Sequence, residues 1–182
     1  MNAWLAGAVG GVHPLSVAIL ALVTLQRLAE LALARRNTRL LLAQGGMEVA
    51  AGHYPALVAL HAAWLAGLWL LAPYSEPDIA LLALFVLLQI GRGWVLAALG
   101  SRWTTRIVVM PGAPLVRSGP YRLFRHPNYL IVAGENLVLP LAFGLPLFAV
   151  VFSVLNALVL WVRIRAEDAA LRGAPHQVMA SR

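Results

Sequence analysis

The chain has 182 residues, of which 61% are hydrophobic and only 12% are charged, and its mean hydropathy is +0.79. Soluble domains are about half apolar and a quarter charged, so this composition excludes an ordinary soluble domain and indicates an integral membrane protein. The absence of cysteine excludes disulfides and thiolate sites, and the net charge of +7 comes from arginines beside apolar segments, which favours membrane lipids over nucleic acid as partner.

Five apolar segments approach the roughly twenty residues that a bilayer core requires. In chain order they run from about Leu15 to Ala34, Tyr54 to Ala72, Ile79 to Leu99, Asn128 to Phe143 and Leu145 to Val162. We therefore predict an all-α bundle of about five transmembrane helices, with residues 1–182 forming a single domain. The last two segments are short and are separated by a Gly-Leu-Pro break, which predicts a tight helical hairpin.

The connections between these segments alternate in charge. The first, the third and the C-terminal connections carry arginines, the second carries Glu76 and Asp78 without a base, and the fourth is uncharged. Arginine-rich connections stay in the cytoplasm. We therefore expect the N-terminus outside the cell and the C-terminus in the cytosol.

The third connection contains an unusual polar motif, Ser-Gly-Pro-Tyr-Arg-Leu-Phe-Arg-His-Pro-Asn-Tyr, in residues 118–129. The Gly-Pro pair that begins at Gly119 favours a turn. Pro127 favours the first turn of a helix, because its missing N–H would have no intrahelical partner there. Arg125 and His126 then lie at a helix N-terminus, where backbone N–H groups and basic side chains bind anions. The motif predicts a site for a soluble, charged cofactor at the membrane edge.

The fifth segment carries a polar stripe. Asn156, Arg163 and Glu167 are spaced by seven and four residues, which places them on one face of a helix. Arg163 and Glu167 are also spaced to form an ion pair. The stripe begins at membrane depth and ends in the cytosol, so we expect it to line a cleft that leads from lipid to water. Ionisable groups within a membrane segment are functional candidates by default.

Charged residues in the other segments have two interpretations each. Glu135 either binds a ligand or forms an interhelical pair, with Arg92 or Arg163 as its partner. Arg27 and Glu30 are spaced to pair with each other, and we favour helix packing there, with substrate contact as the alternative.

Two histidines and two tryptophans complete the candidates. His53 and His61 lie near one face of the second segment, but no third ligand stands at metal-binding spacing, so we expect no metal site. Either histidine is a candidate base, and an interior hydrogen-bonded role is the simpler interpretation for His61. Most tryptophans fit interfacial belts, with Trp94 and Trp161 as candidates for an apolar pocket. We expect substrate contacts from His53, His61, Trp94 and Asn156.

The pattern G-P-Y-R-x-x-R-H-P-x-Y in residues 119–129 resembles the cofactor motif of the isoprenylcysteine carboxyl methyltransferase and phospholipid methyltransferase superfamily. The later R-I-R-A-E-D in residues 163–168 is similar to the superfamily's R-I-x-x-E-E, with Asp168 in place of a Glu. The first two segments, with R-L-A-E-L, R-R-N and H-Y-P-A-L-V-A-L-H, resemble a bacterial subgroup associated with type III polyketide synthases. Its members O-methylate long-chain alkylpyrones or related phenolic lipids.

The resemblance implies a membrane methyltransferase without a Rossmann domain. It implies S-adenosyl-L-methionine as cofactor and S-adenosyl-L-homocysteine as product, both bound within residues 100–172. The motif positions imply these cofactor-binding residues: Gly119, Tyr121, Arg125, His126, Pro127, Tyr129 and Glu167. They imply that the catalytic residues are Arg163, Glu167 and Glu135.

The resemblance also implies a setting for the reaction. The acceptor would be a lipophilic molecule from the bilayer, with an alkylpyrone or phenolic hydroxyl or an isoprenylcysteine-type carboxylate as the methylated group. The protein would lie in a bacterial inner membrane with its site facing the cytosol, and a polyketide synthase would be a pathway partner.

Two other functions stay open. NADPH-dependent reductases of the steroid 5α-reductase kind have a similar R-H-P-N-Y stretch, but their acid follows the tyrosine by about three residues, whereas Glu135 follows Tyr129 by six. A non-catalytic membrane scaffold or carrier would bind neither cofactor. A scaffold or carrier of this kind would not explain the charged stripe at Arg163 and Glu167.

Overall fold

The computed structural model describes residues 11–114 and 116–177, with side chains described as far as Ala170 except that of His53. Five helices, numbered here in chain order, make up most of this part of the chain. They are α1 (Pro14–Ala43), α2 (Tyr54–Leu71), α3 (Ile79–Leu99), α4 (Pro127–Ala142) and α5 (Pro146–Gln177). Proline occupies the first or second position of all but α3, because its fixed φ suits the first helical turn.

Four of these helices, α1, α2, α3 and α5, are long and apolar enough to cross a membrane. The outer faces expose large apolar side chains such as Leu22, Leu70, Leu87 and Leu147, as expected for surfaces in contact with lipid. α4 has 16 residues and is about 24 Å long, less than the roughly 30 Å of a bilayer core. A helical membrane bundle is therefore confirmed, while five crossings and their orientation stay predictions.

Two helices extend beyond the predicted apolar segments. α1 ends at Ala43 rather than Ala34, and α5 continues to Gln177 rather than ending at Val162. Hydropathy identifies only the part of a helix that is apolar enough to contact lipid. Arginine has a high helix propensity, so each of these helices continues through arginine-containing sequence beyond its apolar segment.

The core of the bundle lies between α1, α2, α3, α4 and α5 and is formed mainly by large aliphatic and aromatic side chains. Its buried members include Leu20, Val23, Trp64, Leu68, Phe85, Val138, Leu139 and Phe143. α3 and α4 approach closely at Gly134, where an added Cβ would lie 3.0 Å from the Leu88 side chain. The predicted hairpin between α4 and α5 turns at Gly144, which has a positive φ of 70°.

A small sheet accompanies the predicted all-α bundle and was not predicted from the sequence. β1 (Met47–Glu48), in the α1–α2 connection, pairs antiparallel with β2 (Val108–Val109), in the α3–α4 connection. Arg106 reinforces the pairing through hydrogen bonds of 2.7 and 2.9 Å to the Glu48 carboxylate. Strands of two residues carry no readable periodicity, and their partners are about sixty positions apart, so only the folded chain shows them. The sheet holds the long α3–α4 connection over one end of the bundle.

Candidate active site

A cavity of about 870 Å³ lies at the end of the bundle where α3 ends and α4 begins. It is lined by the α3–α4 connection, the first turn of α4 and the last part of α5. Its polar lining includes Tyr121, Arg125, His126, Asn128, Tyr129, Arg163, Glu167 and Asp168. The structure thus brings the 118–129 motif and the end of the α5 stripe into one cavity.

Local sequence explains how the motif is held. A short 3-10 turn spans Gly119–Arg122, and Gly119 has a φ of 56°. An added Cβ on Gly119 would lie 3.0 Å from Ala98 and 3.1 Å from the indole nitrogen of Trp94. Both the backbone conformation and the close packing therefore require glycine. Pro127 begins α4 and His126 caps it, so the predicted turn and helix start are confirmed.

Tyr129 joins the motif to α5. Its hydroxyl donates a hydrogen bond of 2.5 Å to Oε2 of Glu167, and the guanidinium carbon of Arg163 lies 5.7 Å from the centre of its ring. Among the described side chains no ion pair joins Arg163 to Glu167. The spacing permits the pair, but the tyrosine hydroxyl takes the carboxylate instead.

His126 lies between Tyr129 and two acids. Its ring stacks on Tyr129 with centroids 5.5 Å apart. Its Nε2 is 3.5 Å from Asp168 and its Nδ1 is 3.9 Å from Glu167. Asp168 therefore reaches His126 although it is one methylene shorter than the glutamate of the superfamily pattern. Arg125 is 3.9 Å from Asp168, but 86% of its side chain is exposed, so that pair is weak.

Arg163 is the buried cation of the cavity. Its relative exposure is only 5%, and its Nη1 has no hydrogen-bond partner within residues 11–114 and 116–177. An unpaired buried donor on a charged group is costly. Arg163 also lines the cavity, which places a buried positive charge beside the cavity.

Tyr121 contributes a neutral hydroxyl to the same lining. Burial, with a further effect from the charge of Glu167, raises the pKa of Tyr121 to about 12. The Tyr121 side chain is therefore protonated at neutral pH and serves as a hydrogen-bond donor rather than as a base.

Glu135, predicted as catalytic, lies in a buried ring of charges within the bundle and is not among the residues that line the cavity. We call Arg27, Glu30, Arg92 and Glu135 the charge ring. Arg27 donates to Glu135 at 2.8 Å and to Glu30 at 3.0 Å. Arg92 donates to Glu135 at 3.0 Å and makes two hydrogen bonds to Glu30.

Two glutamines complete the hydrogen bonding around the charge ring. Gln89 donates to Glu135 at 2.8 Å, and Gln26 donates to Glu30 at 2.9 Å. The ring connects α1, α3 and α4. For Glu135 the structure thus shows the interhelical pair with Arg92, which was one of its two interpretations. For Arg27 and Glu30 it agrees with the favoured interpretation, helix packing.

Three of the four predicted substrate contacts are not among the described residues that line the cavity. His61 uses Nδ1 in a 2.9 Å hydrogen bond with the Leu57 carbonyl of its own helix. Trp94 is 49% exposed on the side of α3. Asn156 is 1% exposed, and its amide has no partner among the described residues. The side chain of His53 lies outside the described part of the structure.

Several lining residues were not predicted from the sequence. The α3–α4 connection supplies a wall that includes Trp103, Thr104, Ile107, Val109 and Met110. The length of that connection, together with its apolar run at residues 107–110, was the available signal. Nothing in the residue types themselves indicated contact with a ligand.

Comparison with known proteins agrees with this geometry. The family model for the isoprenylcysteine carboxyl methyltransferase (ICMT) family matches residues 81–173. The chain is 38% identical over 159 residues to the uncharacterized protein YpbQ of Bacillus subtilis (strain 168). This alignment covers 85% of the chain and 95% of YpbQ. No solved structure matches. The matched region contains α4, most of α3 and α5, and every motif residue of the cavity. The protein therefore belongs to the isoprenylcysteine carboxyl methyltransferase family, a family of membrane methyltransferases.

Proposed function

We propose that the protein is an S-adenosyl-L-methionine-dependent O-methyltransferase that acts on a lipophilic acceptor from the bilayer. The observation that carries this proposal is that one cavity joins the 118–129 motif to Arg163, Glu167 and Asp168. Binding pockets for small molecules and cofactors are about 300–1,000 Å³. A cavity of about 870 Å³ is large enough for a nucleoside cofactor and the polar end of an acceptor.

The charges of the cavity fit the cofactor. The guanidinium of Arg163, a buried residue that lines the cavity, is suited to a carboxylate, since charge-assisted hydrogen bonds are strong in a buried site. Glu167 and Asp168 present carboxylates for an ammonium group or for ribose hydroxyls. The exposure of Arg125 makes it a weaker carboxylate ligand than Arg163, and it lies at the cavity mouth.

S-adenosyl-L-methionine, when bound, supplies an activated methyl group for in-line displacement. The residues of this chain would act mainly by holding the reacting groups in position and excluding water, which is the larger part of the rate in such a transfer. Glu167 is the acid of the cavity best placed as a base for a hydroxyl acceptor. Glu135 is occupied by two arginines of the charge ring.

The acceptor side of the cavity is apolar. Its lining includes Leu41, Leu99, Ile107, Val109 and Met110, which suit a hydrocarbon chain. An acidic enol or a carboxylate acceptor would need little help from a base, and the long-chain alkylpyrones of the resembled bacterial subgroup have such an enol. The alkylpyrone is therefore our proposed acceptor, with an isoprenylcysteine-type carboxylate as the second candidate.

Calorimetric titration of the detergent-solubilised protein tests the cofactor. We expect saturable binding of S-adenosyl-L-homocysteine and no binding of NADPH. Saturable binding of NADPH alone would identify a reductase instead, and binding of neither would identify a scaffold or carrier. Transfer of a radioactive methyl group to an alkylpyrone or to a farnesylcysteine analogue then distinguishes the two acceptors.

A further inference from the structure

The segment that leads into the His126 corner has two different faces. Tyr121 is half-buried and packs against the apolar cluster at the end of α3. Leu123 and Phe124, two and three residues later, are 68% and 53% exposed. The described contacts of the bundle thus leave an apolar pair uncovered directly beside the candidate active site.

The depth of this segment follows from its contacts with α3. Gly119 packs on Trp94 and Ala98, and α3 is apolar up to its end at Leu99. Gly119, at the start of the segment, therefore lies beside the last turns of a membrane-crossing helix rather than beyond its end, and residues 122–125 follow it closely in the chain. Trp94 is itself half-exposed at this level, as tryptophans are at the boundary between acyl chains and headgroups.

Two arginines flank the apolar pair. Arg122 and Arg125 are both exposed, and Arg125 has 86% of its side chain accessible. Within the described residues Arg122 forms no ion pair. An arginine at this depth extends its aliphatic part along lipid and places its guanidinium among phosphates, and basic groups beside a membrane helix attract anionic headgroups.

We propose that residues 122–125 form a membrane anchor at the mouth of the cavity. Leu123 and Phe124 insert at the boundary between headgroups and acyl chains, and Arg122 binds the phosphates of anionic phospholipids, while Arg125 adds positive charge at the cavity mouth. Because His126 follows directly and caps α4, lipid binding fixes the position of the corner that lines the cavity. The occupant of this surface is an anionic phospholipid and not a soluble protein.

A depth measurement tests the anchor without any assay of activity. The chain has no cysteine, so Phe124→Cys gives one site for a nitroxide label in nanodiscs that contain phosphatidylglycerol. Two control sites bracket the result: Val86→Cys, on the exposed face of α3, and Glu76→Cys, in the exposed and charged α2–α3 connection.

We expect the label at position 124 to be relaxed by dissolved oxygen and protected from a water-soluble nickel chelate, as at position 86. Protection no greater than at position 76 would overturn the anchor and leave the surface for a soluble partner. Leu123→Cys provides a second label site should the first variant fail to fold.

The lipid charge is tested with the same label. In nanodiscs of phosphatidylcholine alone we expect the label at position 124 to be more accessible to the nickel chelate than in discs with phosphatidylglycerol. Arg122→Gln should abolish this difference, whereas Arg36→Gln, which removes an exposed arginine of α1, should retain it. The same accessibility in both lipids with Arg122 present would exclude binding of an anionic headgroup.

Discussion

The charge ring and the cavity are two charged regions of one bundle, and they differ in how completely their charges are paired. In the charge ring two arginines and two glutamates form four ion pairs between 2.5 and 3.0 Å. In the cavity His126 lies 3.5–3.9 Å from its acids, and a buried nitrogen of Arg163 has no described partner.

This difference separates charges that join helices from charges that line the cavity where we propose that the cofactor binds. In the charge ring every arginine and glutamate already has an oppositely charged partner, and such a set can fix which helices meet. A buried cation with an unpaired donor is costly, so its position beside a cavity is the feature that suggests a role in binding. Both regions place ionisable residues within apolar segments, so the sequence makes each of them a functional candidate.

The largest effect should follow from breaking the charge ring. Glu135→Ala leaves Arg27 and Arg92 without one of their two carboxylates, and removing one partner of a buried pair costs about 3–5 kcal/mol. We expect the free energy of unfolding, followed by helicity in mixed micelles, to fall by an amount of this order. The folded fraction should still bind S-adenosyl-L-homocysteine.

Glu48→Ala is the control for Glu135→Ala, because Glu48 pairs with an arginine that is 40% exposed. Its loss should cost less than about 1 kcal/mol. If Glu135→Ala instead kept full stability and lost methyl transfer, Glu135 would be a catalytic residue and the comparison of the two regions would fail.

A smaller effect on stability, but a clear effect on binding, should follow from Arg163→Leu. The substitution removes a charge-assisted bond worth about 1.5–3 kcal/mol, which corresponds to a roughly 10- to 150-fold higher dissociation constant for S-adenosyl-L-homocysteine. Stability should be unchanged or higher, since a buried unpartnered donor is lost. Calorimetry and unfolding in the same detergent measure both quantities.

Arg165→Leu is the matched control on the same helix, because Arg165 lies 4.0 Å from the Trp161 ring on an exposed face. It should leave the dissociation constant unaltered. An unaltered constant for Arg163→Leu as well would show that the cofactor carboxylate binds elsewhere.

The smallest effect concerns Tyr121 at high pH. Its pKa is about 12 in the folded protein and about 10 in an unfolded chain. Above about pH 10 the unfolded state loses a proton that the folded state keeps, so stability falls as the pH rises toward 12. Tyr121→Phe should fall less steeply than the parent protein in melting temperatures measured across this range.

Tyr74→Phe, which alters a tyrosine that is 50% exposed, is the control for Tyr121→Phe. Its melting temperatures should follow those of the parent protein. An identical pH dependence for Tyr121→Phe and the parent would show that the Tyr121 hydroxyl is not shielded from water.

Much of the cavity could be predicted from sequence, because its features are local. The turn at Gly119 and the helix start at Pro127 follow from the backbone preferences of these residues, and the seven- and four-residue spacing of Asn156, Arg163 and Glu167 follows from helical geometry. From its spacing, Arg163 was a possible partner of Glu167. Spacing along one helix indicates which contacts are possible, but Tyr129 on another helix decided which one forms.

The charge ring and the small sheet could not be predicted to the same degree. Arg27 and Glu135 are separated by 108 positions, and both Arg92 and Arg163 were compatible with Glu135 from sequence alone. Likewise, the wall formed by the α3–α4 connection depends on a pairing between two strands of two residues each. Contacts between distant segments leave no periodic pattern in the chain.

The sequence by itself determined that the protein is a helical membrane protein and which residues carry charge within it, because apolar length and helical spacing are properties of contiguous chain. Only the tertiary structure decided which of those charges are paired with one another and which face a cavity. These pairings depend on how α1, α3, α4 and α5 pack, because the residues next to a buried charge come from other helices.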